Sequence, residues 1–316
     1  MGKDTLYWSV YKNLENEIID LSYKIHFDEN QLSVYSIKIA ELLLRCSVEI
    51  ESIAKDLFFE EGGTIPIDEN GNYHDLYFDT DCIQLLEEKW ALSEKIVLVT
   101  AVNFHFNLEE NKILTPLKKA NKRGTSSADW IKAYQAVKHN RSMNLSKGNI
   151  KHLIRAMAAL YLLNIYYRNE KYPLMANFDD SFDNNKLGSD LFSLKSCYIS
   201  FEDVTGKASY PSNSSQCVYF EKIEDNAFLK IVASAREASK KQIEIFNNSP
   251  LVKQFIQSNP GYSFEGKHLA KICLDIGGSD FMQKIMQPKL DSVNLTHKSR
   301  REAILNKNQK IYPEIL

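Results

Sequence analysis

Apolar positions in the first half of the chain recur mostly at intervals of three and four residues, the spacing of a helix face turned to a core. Leu14, Ile18, Leu21 and Ile25 predict an opening helix over about 7–25, closed by the polar run Asp28, Glu29, Asn30. A second pattern, SVYSIKIAELLLRCSVEIESIAKDLFF, predicts a long helix over about 34–59. There Ile37, Ala40, Leu44, Val48, Ile50 and Leu57 make a broad apolar face, and Gly62 and Gly63 stop it. A short helix is expected over about 82–92. The compact run IVLVTAVNFHF that follows reads as a strand or a buried segment. Trp130, Tyr134 and Val137 form one helical stripe, and NIKHLIRAMAALYLLNIYY (149–167) predicts a long helix whose Ala156, Ala158 and Ala159 admit a close neighbour. Four helices by residue 170, two of them long and central, make a helical bundle.

Beyond residue 170 the period changes. FDDSFDNNKLGSD is polar and turn-rich, a surface loop or linker. KSCYISFED and QCVYFEKIE alternate in twos with Gly206, Pro211 and serines between them, which predicts a β-hairpin. Helices are expected again over 227–246, 250–257 and 266–285, with Lys298, Arg300 and Arg301 as a basic patch in the tail. The expected fold is mainly α: a helical bundle over 1–170, then a smaller α+β region with a β-hairpin over 171–316.

Composition sharpens this in few places. Only 12 glycines and 8 prolines in 316 residues favour long helices over turn-dense β architecture. A formal charge of −2 gives no global attraction to nucleic acid, so any such binding must come from a local patch. Five scattered cysteines form no CxxC pair and no disulfide framework, which argues against zinc and for a reducing, cytoplasmic setting. No signal-peptide core and no run of eighteen apolar residues appear, so no membrane role is expected. Gly2 lacks the Ser/Thr that lipidation requires, Leu6 standing in its place.

The densest candidate chemistry lies in WIKAYQAVKHNR, residues 130–141. Lys138, His139 and Arg141 close an aromatic helical run, and the cluster Lys118, Lys119, Lys122, Arg123 precedes it. An imidazole beside cations is suited to acid/base work or phosphate contact. His139 at the edge of the stripe equally fits a helix-end packing residue, and Trp130 and Tyr134 equally fit core packing. On one continuous helix His139 and Arg141 would point roughly 160° apart, so they converge only if the helix ends near Asn140. Arg45 interrupts an apolar neighbourhood in the second helix. Arg45/Glu49 and Glu51/Lys55 sit at salt-bridge spacing there. Two motif hits lack their context. Asp68, Asn70 and Asn72 resemble a calcium loop but the glycine is misplaced, so the segment reads as a turn. Gly261 to Lys267 fits a phosphate-binding loop except that His268 replaces the magnesium-holding hydroxyl and a helix, not a strand, is expected before it.

Three segments, SVYSIKIAELLLRCSVEIESIAKDLF, WIKAYQAVKHNR and NIKHLIRAMAALYLLNIYY, together resemble the HEPN superfamily of helical-bundle proteins. The resemblance covers roughly residues 10–170, with SDLF near Leu191 counted with it. It implies a HEPN-like bundle that dimerises, so that polar residues of two protomers meet in a cleft. It also implies a metal-independent endoribonuclease of bacterial or phage-related defence and toxin systems, with no cofactor and no metal. On that reading His139, Arg141, Lys138 and Tyr134 are the catalytic group. Arg45, Lys132, Asn140, Lys122 and Arg123 are the substrate-binding group, RNA is the partner, and the chain is a homodimer. The family's signature places an arginine a few residues ahead of the histidine, whereas Tyr134, Ala133 and Lys132 hold those positions here. A non-catalytic HEPN-like module engaging a partner protein or nucleic acid fits that departure.

Overall fold

Helix α1 (Leu6–Ser22) is followed by the long α2 (Ile37–Glu60), whose first turn is closed by Ser36 Oγ accepting from the Ile39 amide at 3.1 Å. A π-helical turn (Phe78–Ile83) leads into α3 (Gln84–Trp90), strand β1 (Val97–Val99), α4 (Glu109–Lys112) and β2 (Ile113–Leu114). Then come α5 (Asp129–His139), the single turn α6 (Arg141–Asn144) and α7 (Ile150–Arg168), the last capped by Asn149. This computed structural model describes residues 5–67, 71–73, 75–175 and 182–314, without the side chains of 290–297. Gly2, Asp68, Asn70 and the start of the polar loop at 178–181 lie outside the described residues.

Helices α2 and α7 start at the same end of the bundle and run side by side. The Ile150 and Lys151 amides donate to the Val34 and Leu32 carbonyls, and Cys46 Sγ meets Met157 Sδ at 3.7 Å further along. Helix α1 runs the other way. Tyr7 reaches Ser52 and Asp56 near the C-terminal end of α2 and packs edge-on against Tyr167, while Glu17 pairs with Lys38 and Arg45 near its start. Nearly every α7 side chain from Leu153 to Tyr167 is buried, which makes it the central helix.

On α2 the buried stripe is Ile39, Ala40, Leu43, Cys46, Ile50, Ile53 and Leu57, and Ile37 and Val48 lie outside it, 61% and 52% exposed. The predicted face was therefore displaced, because a helix apolar on most sides gives its period little phase information. Gly148 sits against α2: a Cβ there would come within 2.7 Å of Ala40 Cβ and 2.9 Å of its Cα. Gly148→Ala is expected to cost about 1–3 kcal/mol through overpacking, read as a lower denaturant midpoint.

Past residue 170 the chain adds β3 (Tyr172–Leu174), β4 (Phe192–Leu194), β5 (Ser196–Tyr198), β6 (Ser200–Phe201), β7 (Ala208–Ser209) and β8 (Tyr219–Ile223). Helices α8 (Asp225–Asn248), α9 (Pro250–Ser258) and α10 (Leu269–Lys298, broken at Gly278, φ 70°) precede β9 (Arg301–Leu305). The molecule is mainly α with a smaller α+β region, as its periodicity predicts. One sheet has the order β2-β1-β4, all antiparallel, and the other β3-β9-β8-β5.

The hairpin is β6 with β7. The predicted pairing of 195–203 with 216–224 is corrected, since β5 and β8 lie parallel, Cys197 opposite Phe220. The predicted tail patch also changes. Arg301 opens β9, is 3% exposed, and faces Glu221 at 3.8 Å. The main core gathers α1, α2, α5 and α7 together with Leu191, Phe192 and Leu194, and also takes Val218, Tyr219, Ala303 and Leu305 from the second sheet.

Lys95, 1% exposed, ties the start of this sheet region to the loop before β8 by donating to the Ser215 carbonyl at 2.8 Å. Burial pulls its ammonium down to about 8, against the smaller pull of Glu94 and the Cys217 sulfur. Between that value and the ordinary lysine range the unfolded chain binds more protons than the folded one. Wild-type stability should therefore rise relative to Lys95→Met as pH goes from about 8 to 10, by up to on the order of 3 kcal/mol. Paired urea titrations across that window check this.

Candidate functional site

Helix α5 is seated by its own aromatic residues. Trp130, 1% exposed, donates its indole N–H to the Pro116 carbonyl at 2.8 Å, and Tyr134 and Val137 are each 1% exposed. These are core residues, as the helical spacing allows. Tyr134 is thereby removed from any role of stacking on a base or steering an imidazole. Its hydroxyl accepts from Lys138 Nζ at 3.1 Å and burial pushes it up, while the same hydrogen bond raises Lys138 and keeps it cationic.

The helix stops at His139. Asn140 leaves helical geometry (φ −150°, ψ 79°) and its side chain accepts from the Met143 amide, so it both ends α5 and caps α6. His139 and Arg141 are therefore on separate helical segments, and the opposed directions of a continuous helix do not apply to them. Both are exposed, and among the described residues neither side chain has a hydrogen-bond or ion-pair partner.

The other predicted binding residues are dispersed. Arg45 is held on the α1–α2 face, donating from Nη1 to Glu17 and from Nη2 to Asn13 Oδ1 at 2.8 Å, rather than to its expected partner Glu49. Lys122 is exposed on the loop before α5. Arg123, Lys132 and Lys138 do converge. They line a cleft of about 700 Å³ between α2, the π-helical turn and α5, with Lys55 and Glu51 from α2 and Tyr77, Phe78 and Asp79 from the turn.

Arg123 Nε donates to both Asp79 carboxylate oxygens at 3.0 and 3.1 Å, and the guanidinium lies 3.6 Å from the Tyr77 ring centre. Glu51 and Lys55 form no ion pair with each other; Glu51 instead acts on Tyr134 and Lys138, and both line the cleft. Spacing alone marked them as a solvated pair, and nothing local in 75–81 announced the turn that supplies Tyr77 and Asp79. A second cavity of about 460 Å³ lies across the 124–127 loop, lined by Lys118, Lys119, Arg155 and Asp129, and shares Ser127 and Lys132 with the first.

The phosphate-loop look-alike is otherwise engaged. Helix α9 precedes it, and Lys267 lies over the Tyr262 ring at 3.7 Å and 3.7 Å from Asp275. Among the described residues no helix is long and apolar enough to cross a membrane. Compared with protein-family models, curated proteins and solved structures, the chain finds no match.

Proposed function

We propose that the chain is a HEPN-like, defence-related protein that acts on RNA as a homodimer and cleaves it without a metal. The observation that supports this is the break at Asn140, which frees His139 and Arg141 to face a common substrate from an exposed corner. His139 would take the proton of the RNA 2′-hydroxyl as that oxygen attacks the adjacent phosphorus. The P–O5′ bond breaks, a proton goes to the leaving 5′-oxygen, and a 2′,3′-cyclic phosphate remains. Arg141, with Lys138 nearby in sequence, would stabilise the charge gathering on the phosphoryl oxygens. A lone exposed imidazole does little by itself, so the site is completed by a second copy. Ile37 and Val48 on α2 and Met143 beside the corner are large exposed apolar side chains that such a copy would cover.

A second reading, a non-catalytic module that holds RNA or a protein, is favoured by one observation: Tyr134 and Lys138, two of the four candidate catalytic groups, are bonded to each other. Incubation with single-stranded RNA in excess chelator separates the two. Products ending in cyclic phosphate support cleavage; RNA bound and left intact supports the module.

A further inference from the structure

We propose that the cleft between α2, the π-helical turn and α5 is a binding site for a nucleotide, its phosphate held by Arg123, Lys132 and Lys55 and its base against Leu76, Phe78 and Ile131. This goes beyond the cleavage reading, because neither His139 nor Arg141 lines the cleft, and it stands whether or not RNA is cut.

Four observations carry it. The volume, about 700 Å³, is that of a small-ligand site. Its lining sets four cations, Lys55, Arg123, Lys132 and Lys138, against two carboxylates, Glu51 and Asp79. Both carboxylates are already engaged: Asp79 by Arg123, and Glu51 toward Tyr134 and Lys138. The net field in the cleft is thus positive in a chain whose overall charge is slightly negative.

Arg123 is also fixed in advance. Asp79 holds its Nε edge and Tyr77 supports its face, which leaves the two terminal amino groups as a planar fork toward an anion. Ser127 supplies the last observation. It is 4% exposed, lines the cleft, and its Oγ has no hydrogen-bond partner. A buried hydroxyl without a partner costs stability, and a rotation of its χ1 toward the cleft would let a phosphate oxygen supply one. The apolar part of the lining, Leu76, Phe78 and Ile131, suits a flat ring rather than a bare anion.

The same chemistry is offered by a free mononucleotide and by one nucleotide of a strand, and the test separates them. The full chain is titrated by calorimetry with AMP, GMP, CMP and UMP, with inorganic phosphate, and with a short single-stranded RNA. Saturable binding of a mononucleotide, weakened about tenfold or more in Arg123→Gln and in Lys132→Gln, supports the site with a free ligand. Binding of the RNA alone, weakened by the same substitutions, supports it with the strand as the source. Ser127→Ala is a milder probe, expected to weaken binding severalfold while melting at or above the wild-type temperature. Inorganic phosphate binding as tightly as any nucleotide, or affinity unchanged in both the Arg123 and Lys132 variants, overturns the proposal. So does the absence of saturation by every ligand up to about 1 mM.

Discussion

Glu15→Ala is expected to destabilise the protein by about 3–5 kcal/mol. Glu15 is fully buried, and one oxygen gathers four donors: the Tyr11 hydroxyl at 2.9 Å, Ser189 Oγ at 2.7 Å, and the Asp190 and Leu191 amides at 3.0 and 3.2 Å. Lys12 closes the arrangement, pairing with Glu15 and with Asp190 at 2.8 Å and donating to the Gly188 carbonyl at 3.0 Å. Alanine would strand these donors in a dry interior and open a cavity beside them. The consequence is not local, because these bonds fix residues 188–191 just before β4 and so join the bundle to the first sheet. Gln keeps the accepting oxygen and should cost only about 1–2 kcal/mol. Denaturant midpoints for the two variants at an unchanged slope would confirm the ranking. Equal midpoints would show that an accepting oxygen kept in place recovers nothing, and would overturn the account resting on its four donors.

The same carboxylate shows where reading the sequence succeeds and stops. Helix positions along α1, α2, α5 and α7 were legible because burial repeats with the helical period, and the break at Asn140 falls where a polar residue interrupts the run. Nothing distinguishes Glu15 from Glu17 in YKNLENEIID, yet one is sealed in the core and the other pairs with Lys38 and Arg45 at the surface. Their difference is set by segments more than twenty residues away. Strand partnership was lost for the same reason. The alternation of β5 and β8 is visible, but their parallel pairing depends on β9, a tail strand inserted between β3 and β8. Its leading arginine read as a surface charge because Glu221 and the Met175 carbonyl, its actual surroundings, lie far back in the chain. Of the candidate site, the cations of 118–141 were visible as a cluster. The cleft was not, since α2 and residues 76–79 supply one side of its lining from far back in the chain.

His139→Ala is expected to lower the rate of RNA cleavage by about 10²–10⁴-fold while leaving RNA affinity within a few fold. The side chain is exposed and makes no hydrogen bond among the described residues, so its loss should not disturb folding, and unchanged thermal melting is the control. Arg141→Lys tests the second group. A lysine keeps the charge and loses the planar fork, so a drop in rate intermediate between wild type and Arg141→Ala is the expected order.

The demand for a second copy makes a sharper requirement. If the imidazole of one protomer works with the guanidinium of the other, a mixture of the inactive His139→Ala and Arg141→Ala chains contains heterodimers with one intact site. Such a mixture should recover roughly a quarter of wild-type activity when the chains assort at random. If both groups act within one chain, every heterodimer carries two damaged sites and mixing recovers nothing. Cleavage that survives in both single variants would remove the corner at Asn140 from the chemistry and leave the binding module as the better account of this face.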